Sequence, residues 1–310
     1  DGSTLRLPAT ADVVAEFGPP PSGATIPLGR LSRLYDVLNH IVVDADIVGT
    51  RVGERVLAGE HLAATDARDL LLYDRGYPAF WLFALHELEQ RAFCMRMPLG
   101  FSKEVEAFVA SGVASAVVTF TARGEARRQC EDYGLPSTPL RIRLVRVVLK
   151  SGEIEVLATS LLDEARWPTH SFKALYHLRW GIEENYKREK CRLEIENFSG
   201  LSAQVVRQDF YAKLVALNLT AMLAWVAQAV ADRLYQARRR TYRVNFANAL
   251  SKMKHTLVRL LLAAPGTGFL TALIMAMATS VEAVRPDRTA PRNAKPAKIQ
   301  GFHPNYKRCR

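Results

Sequence analysis

Tyr176-His177-Leu178-Arg179-Trp180-Gly181-Ile182-Glu183-Glu184-Asn185-Tyr186-Lys187-Arg188-Glu189-Lys190 is the stretch on which the fold and the chemistry turn. On a helix advancing about 100° per residue, Tyr176, Arg179, Glu183 and Lys190 share an arc of about 60°. Leu175, Leu178, Ile182, Tyr186 and Leu193 form an adjoining apolar stripe that would face a core. Glu183 then sits at the edge of the buried face, while Glu184 points about 100° away toward solvent. A helix rich in Arg, Glu and Lys is ordinarily just a solvated charged face. Four reactive or phosphate-binding groups nevertheless share one stripe of this helix.

Upstream, the elements alternate as in a mixed α/β domain. Leu5 to Leu7 and Leu34 to Ile47 are rich in β-formers, with a turn at Leu38-Asn39-His40, and a helical pattern runs from Val52 to about Ala64. Leu70-Leu71-Leu72-Tyr73 is apolar without alternation, the mark of a strand covered on both faces, and it ends at Asp74-Arg75-Gly76-Tyr77. Pro78 can open the next helix, to about Arg91, and Phe93 to Met97 is another strand. Residues 100–165 carry strand signals at Val113 to Ala122 and Leu140 to Leu161, with a hairpin turn at Ser151-Gly152 and weak helical periodicity. From Thr169 to Pro286 the pattern is helical. The expected division is therefore 1–99, a β-rich insertion over 100–165, a helical remainder over 166–284, and a basic tail over 285–310.

The chain has 42 Lys and Arg against 31 Asp and Glu, a formal charge of +11, which suits a polyanion such as nucleic acid or an anionic membrane. Its four cysteines form no Cys-x-x-Cys pair, so neither a zinc site nor a disulfide framework is expected. No signal-peptide pattern precedes the first strand, and a cytoplasmic setting is expected. Leu214 to Ala231 is apolar over the length of a short span but holds Asn218, Thr220 and Gln228, so a buried core helix is expected and no membrane partner. Leu257 to Val281 is broken by Pro265-Gly266-Thr267-Gly268 and reads as two shorter helices.

The spacing Tyr, two residues, Arg, three residues, Glu, six residues, Lys resembles the signature of the insertion-sequence transposases of family four. The flanking Leu175-Tyr176-His177-Leu178-Arg179-Trp180-Gly181-Ile182-Glu183 and Asn197-Phe198-Ser199-Gly200-Leu201-Ser202 look like that family too. Asp74-Arg75-Gly76-Tyr77 is similar to its second-Asp motif, and Asp1-Gly2-Ser3-Thr4-Leu5-Arg6-Leu7 to its first. The resemblance implies a ribonuclease H-like α/β domain, a mixed sheet flanked by helices, with the β-rich stretch inserted before the Glu183 helix. It also implies a strand and a DNA-binding region ahead of Asp1, so that the chain reads as a fragment.

By that resemblance Asp1, Asp74 and Glu183 are the catalytic carboxylates and hold two Mg²⁺, for which Mn²⁺ can substitute. Hard oxygen donors suit such ions, and an ion pair can serve both the attacking and leaving oxygens of an in-line phosphodiester displacement. Tyr176, Arg179 and Lys190 would contact DNA. The implied function is metal-dependent cleavage of transposon ends and strand transfer, on terminal inverted repeats and target DNA, by a homodimer acting in the bacterial cytoplasm at the nucleoid. A metal-dependent nuclease of the same fold and a retired, DNA-binding transposase are the alternatives.

Other residues have simpler readings. Asp74 has an ordinary role open to it as a turn or helix-capping residue. Asp36, Asp44 and Asp46 fit solvent-facing strand positions, and Glu54 of Gly53-Glu54-Arg55, though similar to a recurrent family residue, fits a helix first turn. His86-Glu87-Leu88-Glu89-Gln90 lacks the second His of a zinc-protease helix. Trp167 and Trp180 fit core packing better than stacking on bases. Arg238-Arg239-Arg240, Arg243 and the tail fit phosphate contacts or solvated ends equally well.

Overall fold

The computed structural model describes residues 2–22, 24–149, 151–182, 193–262 and 267–285. In chain order the elements are β1 (Gly2–Arg6), α1 (Ala11–Phe17), β2 (Leu28–Asp36), β3 (Ile41–Gly49), α2 (Glu54–Glu60), β4 (Leu70–Tyr73), α3 (Phe80–Leu88), β5 (Ala92–Met97), α4 (Lys103–Ser111), β6 (Ser115–Phe120), α5 (Glu125–Asp132), β7 (Leu140–Val148), β8 (Ile154–Thr159), α6 (Phe172–His177), α7 (Ala203–Leu234), β9 (Tyr242–Val244), α8 (Phe246–Leu262), α9 (Thr267–Ala278) and β10 (Val281–Ala283). A three-stranded sheet runs β1-β2-β3, a five-stranded sheet β4-β5-β8-β7-β6, and β9 pairs with β10. The chain is thus mixed α/β.

Two compact units divide it. The first comprises Asp1–Thr4, Arg30–Leu38 and Val43–Glu184. Its five-stranded sheet is mixed: β4 and β5 are parallel, while β5-β8, β8-β7 and β7-β6 are antiparallel. The strand β4 explains its own composition. Leu71 and Tyr73 enter one apolar cluster with α3, while Leu70 and Leu72 pack against a second that includes Phe172 and Tyr176. Alternate side chains meet apolar neighbours on both faces, so no polar residue is tolerated until the strand ends at Asp74.

The expected β-rich stretch supplies β6, β7 and β8, and Gly152 makes the hairpin turn at φ 85°. Its weak helical periodicity was misleading, because α4 and α5 lie within it. Ser102 caps α4 by accepting from Val105 N, and only Val105 and Phe108 are buried. α5 buries only Cys130, and its eight residues are strongly polar and fewer than the window over which a period is read.

The second unit comprises Leu5–Gly29, Asn39–Val42 and Asn185–Arg310. Its core gathers Ala227, Ala231, Met253 and Met277 from α7, α8 and α9. The polar residues of α7 are each held by backbone. Asn218 pairs with both Val42 N and Val42 O, Thr220 Oγ1 donates to Ala216 O, and Gln228 bonds Tyr242 O and Val244 N of β9. α7 is long and apolar enough to cross a membrane by length and composition. Within the expected core helix Leu214 to Ala231 one face is buried, with Leu214, Leu217, Ala221, Ala227 and Ala231, while Val215, Met222 and Trp225 on another face are exposed. The small β9-β10 sheet was not expected in this otherwise helical region.

Candidate active site

Three of the anticipated site residues lie among the described ones: Asp74, Tyr176 and Arg179. Asp1, Glu183 and Lys190 lie outside the described residues.

Asp74 follows directly on β4 and is half-buried. It does not cap the next helix, since α3 starts at Phe80 behind Ala79, with no side-chain cap. Instead Asp74 Oδ1 accepts from Gly76 N at 2.7 Å, closing a tight turn. A Cβ on Gly76 would stand 3.0 Å from that oxygen, which is why glycine belongs there. The turn is held from outside by Arg55, whose Nε donates to Gly76 O at 2.8 Å.

Tyr73, the residue before Asp74, is fixed at both ends. Its carbonyl accepts from the Tyr176 hydroxyl at 3.0 Å, and its own hydroxyl lies 3.0 Å from His86 Nε2. His86 Nδ1 faces the Arg91 carbonyl at 3.1 Å, and a carbonyl only accepts, so the ring proton sits on Nδ1 and Nε2 accepts from Tyr73. Burial pushes the His86 pKa down from 6.5 to about 4, which keeps this ring neutral. His86 was passed over in the sequence because it fits no zinc motif. Its signal was a histidine on an otherwise apolar helix face.

Tyr176 is buried, and burial pushes its phenol upward, with Arg179 opposing and the nearby Asp74 charge adding to the rise. The Arg179 guanidinium lies 5.7 Å from the Tyr176 ring centroid and 5.4 Å from that of Trp180. Trp180 is 41% exposed, so it does not follow the core-packing expectation, whereas Trp167 packs against the cluster of Phe172 and Tyr176.

The uniform helix assumed through Tyr176–Lys190 is corrected over its described part. α6 ends at His177, and Arg179 N donates to Tyr176 O, Gly181 N to Leu178 O, and Ile182 N to Arg179 O. These bonds span three residues, the tighter 3-10 spacing, and mark a turn at Leu178–Arg179 after which α-helix resumes at Trp180. Tyr176 and Arg179 are brought together more closely than the wheel implied.

Asp44, Asp46 and His61 are brought within 4.8 Å of one another, a group that could hold a metal ion. Both His61 nitrogens are already engaged, Nδ1 with Asp44 Oδ2 at 2.8 Å and Nε2 with Ser32 Oγ at 2.9 Å. This chain of hydrogen bonds ties β2 and β3 to the turn after α2 through Ser32, His61 and Asp44.

The site therefore joins two segments about a hundred residues apart: the end of β4 with its Asp-Arg-Gly-Tyr turn, and the Tyr-Arg portion of the motif on α6 and beyond. Among solved structures, a piggyBac transposase synaptic complex with hairpin DNA aligns at a TM-score of 0.48 and 11% identity, over 88% of this chain and 56% of that one. The transposase InsG for insertion sequence element IS4 of Escherichia coli (strain K12) is 26% identical over 227 residues, 71% of this chain and 50% of its own. A protein designated transposase y4zB, from Sinorhizobium fredii (strain NBRC 101917 / NGR234), is 26% identical over 218 residues, 64% of this chain and 58% of its own. The chain spans about half the length of these curated relatives. The family described as transposase DDE domain matches residues 22–219, and the chain belongs to that family.

Proposed function

We propose that this chain is the ribonuclease H-like catalytic domain of a DNA transposase that cuts transposon ends and joins them to target DNA, with Asp1, Asp74 and Glu183 as its carboxylates. The observation that carries the reading is the Tyr176 bond to Tyr73 O, which sets the signature segment against the strand that delivers Asp74.

The donor set fits a hard divalent cation. Asp74 is half-buried at a strand end, and among the described residues only its Oδ1 is engaged, leaving Oδ2 for a ligand. Two Mg²⁺ would supply charge stabilisation for the attacking and leaving oxygens of a phosphodiester displacement. Asp1, Asp74 and Glu183 would hold them. Arg179 and Lys190 would bind flanking phosphates, and Tyr176, rather than touching DNA, would hold the end of β4 in place. Terminal inverted repeats and target DNA are the proposed substrates, a homodimer the active assembly, and the bacterial cytoplasm, without membrane attachment, the setting.

The test is cleavage of labelled end DNA by full-length protein with Mg²⁺ or Mn²⁺. Asp74→Asn and Glu183→Gln should each abolish cutting, while Glu184→Gln keeps most of it. Full activity in Glu183→Gln would overturn the assignment.

A further inference from the structure

Glu54 was expected to be an ordinary first-turn glutamate, but its carboxylate is turned onto another part of the chain. A Cβ built on Gly2 would stand 2.8 Å from Glu54 Cδ and 2.9 Å from Oε1. The same oxygen is 2.8 Å from Arg30 NH1, and Arg30 NH2 is in turn tied to Thr50 O at 3.2 Å. Swinging Glu54 aside to admit a side chain at Gly2 would break this ion pair. Next to it, Arg55 Nε donates to Gly76 O, and Gly76 N donates to Asp74 Oδ1. All of these residues belong to the first unit.

We infer that Gly53-Glu54-Arg55, at the start of α2, is a positioning element that sets two carboxylate-bearing segments relative to each other: Glu54 braces Gly2, the neighbour of Asp1, and Arg55 braces Gly76, which holds Asp74. Two consecutive residues at one helix start meet points more than seventy residues apart in the chain, Glu54 by close approach to Gly2 and Arg55 by a hydrogen bond to Gly76. Glu54 acts through residue 2 and Arg55 through residue 76; neither is a catalytic residue. The pairing also explains why both motifs carry glycine next to or near the aspartate. At Gly2 a side chain would strike Glu54, and at Gly76 it would crowd Asp74 Oδ1. This inference rests on the proposed carboxylate site.

The experiment is a double-mutant cycle on full-length protein with Gly2→Ala, Glu54→Ala and the pair. Cleavage rate at saturating end DNA, Mn²⁺ affinity by calorimetry, and DNA affinity in EDTA are measured for each. Glu54→Ala and Gly2→Ala should each lower both the rate and Mn²⁺ affinity by about 10- to 100-fold, the usual cost of losing a group that orients metal ligands. DNA affinity in EDTA should stay at the wild-type value. The pair should be no worse than Glu54→Ala alone, because without the carboxylate the new methyl has room. Losses that multiply, or wild-type Mn²⁺ affinity in Glu54→Ala, would overturn the inference. Should Gly2→Ala fail to fold, Arg55→Lys serves instead: it keeps the charge but loses the Nε donor, and should lower the cleavage rate about tenfold with an unchanged KM. An unchanged rate there counts against the brace. Wild-type protein that neither cuts nor binds Mn²⁺ refutes the proposed function; a cutting wild type with equally active Glu54→Ala refutes only this inference.

Discussion

The Tyr176 hydroxyl donates to the backbone carbonyl of Tyr73 at 3.0 Å, so the last carbonyl of β4 is satisfied by a helix 103 residues later. Tyr176→Phe removes the donor and leaves that buried carbonyl without it. The variant should lose about 1–3 kcal/mol of stability in urea denaturation and cut end DNA more slowly, with its DNA affinity kept. Wild-type stability and rate would show the bond to be incidental.

Arg179 and Lys190 should behave oppositely to Glu183. Replacing either cation with Ala should weaken binding to end DNA in EDTA and lower the slope of log affinity against log salt by about one unit. Glu183→Ala removes a negative charge and should bind as well as the wild type or better, while failing to cut. Wild-type slopes in both cation variants would reduce the signature to a solvated face.

The neutral His86 makes a pH prediction. Its folded pKa of about 4 lies below its ordinary 6.5, so the unfolded chain takes up the proton first as pH falls. The stability this ring contributes is full above pH 6.5 and is lost progressively between 6.5 and about 4, by about 3 kcal/mol in all. The thermal midpoint of the wild type should fall more steeply than that of His86→Gln across that window. Parallel curves would contradict it.

Arg143, only 1% exposed, donates to Ser115 Oγ, Trp167 O and Thr169 Oγ1 and lies 3.2 Å from Glu164. It ties β7 to the segment entering α6. Arg143→Met should cost about 3–5 kcal/mol, and Arg143→Lys should not restore it, because an ammonium cannot reproduce the fork. Equilibrium unfolding of the three proteins decides.

What the sequence made legible was what repeats or stops abruptly. The bounds of β4, Leu70–Tyr73, could be read from an apolar run ending at Asp74, and the β7-β8 hairpin from Ser151-Gly152. α4 and α5 escaped because, at nine and eight residues, they are shorter than the window over which a helical period is read. Within the candidate site, Asp74 was singled out by the apolar strand it ends and by the likeness of Asp74-Arg75-Gly76-Tyr77 to a family motif, and Tyr176 and Arg179 by a spacing that resembles a family signature. The braces were not: His86 on Tyr73, Arg55 on Gly76 and Glu54 against Gly2 act between segments far apart in the chain, and no local pattern records such a meeting.

The long span between Tyr73 and Tyr176 also has a consequence during synthesis. A ribosome adds about 5–20 residues per second, so Asp74 is made about 5–20 s before the hydroxyl that secures its strand. For that interval the nascent chain carries β4 with its final carbonyl unclaimed by α6. The proposed site is thus completed only once α6 has been made, and a chain released before that point would carry the acidic turn without the hydroxyl that secures its strand.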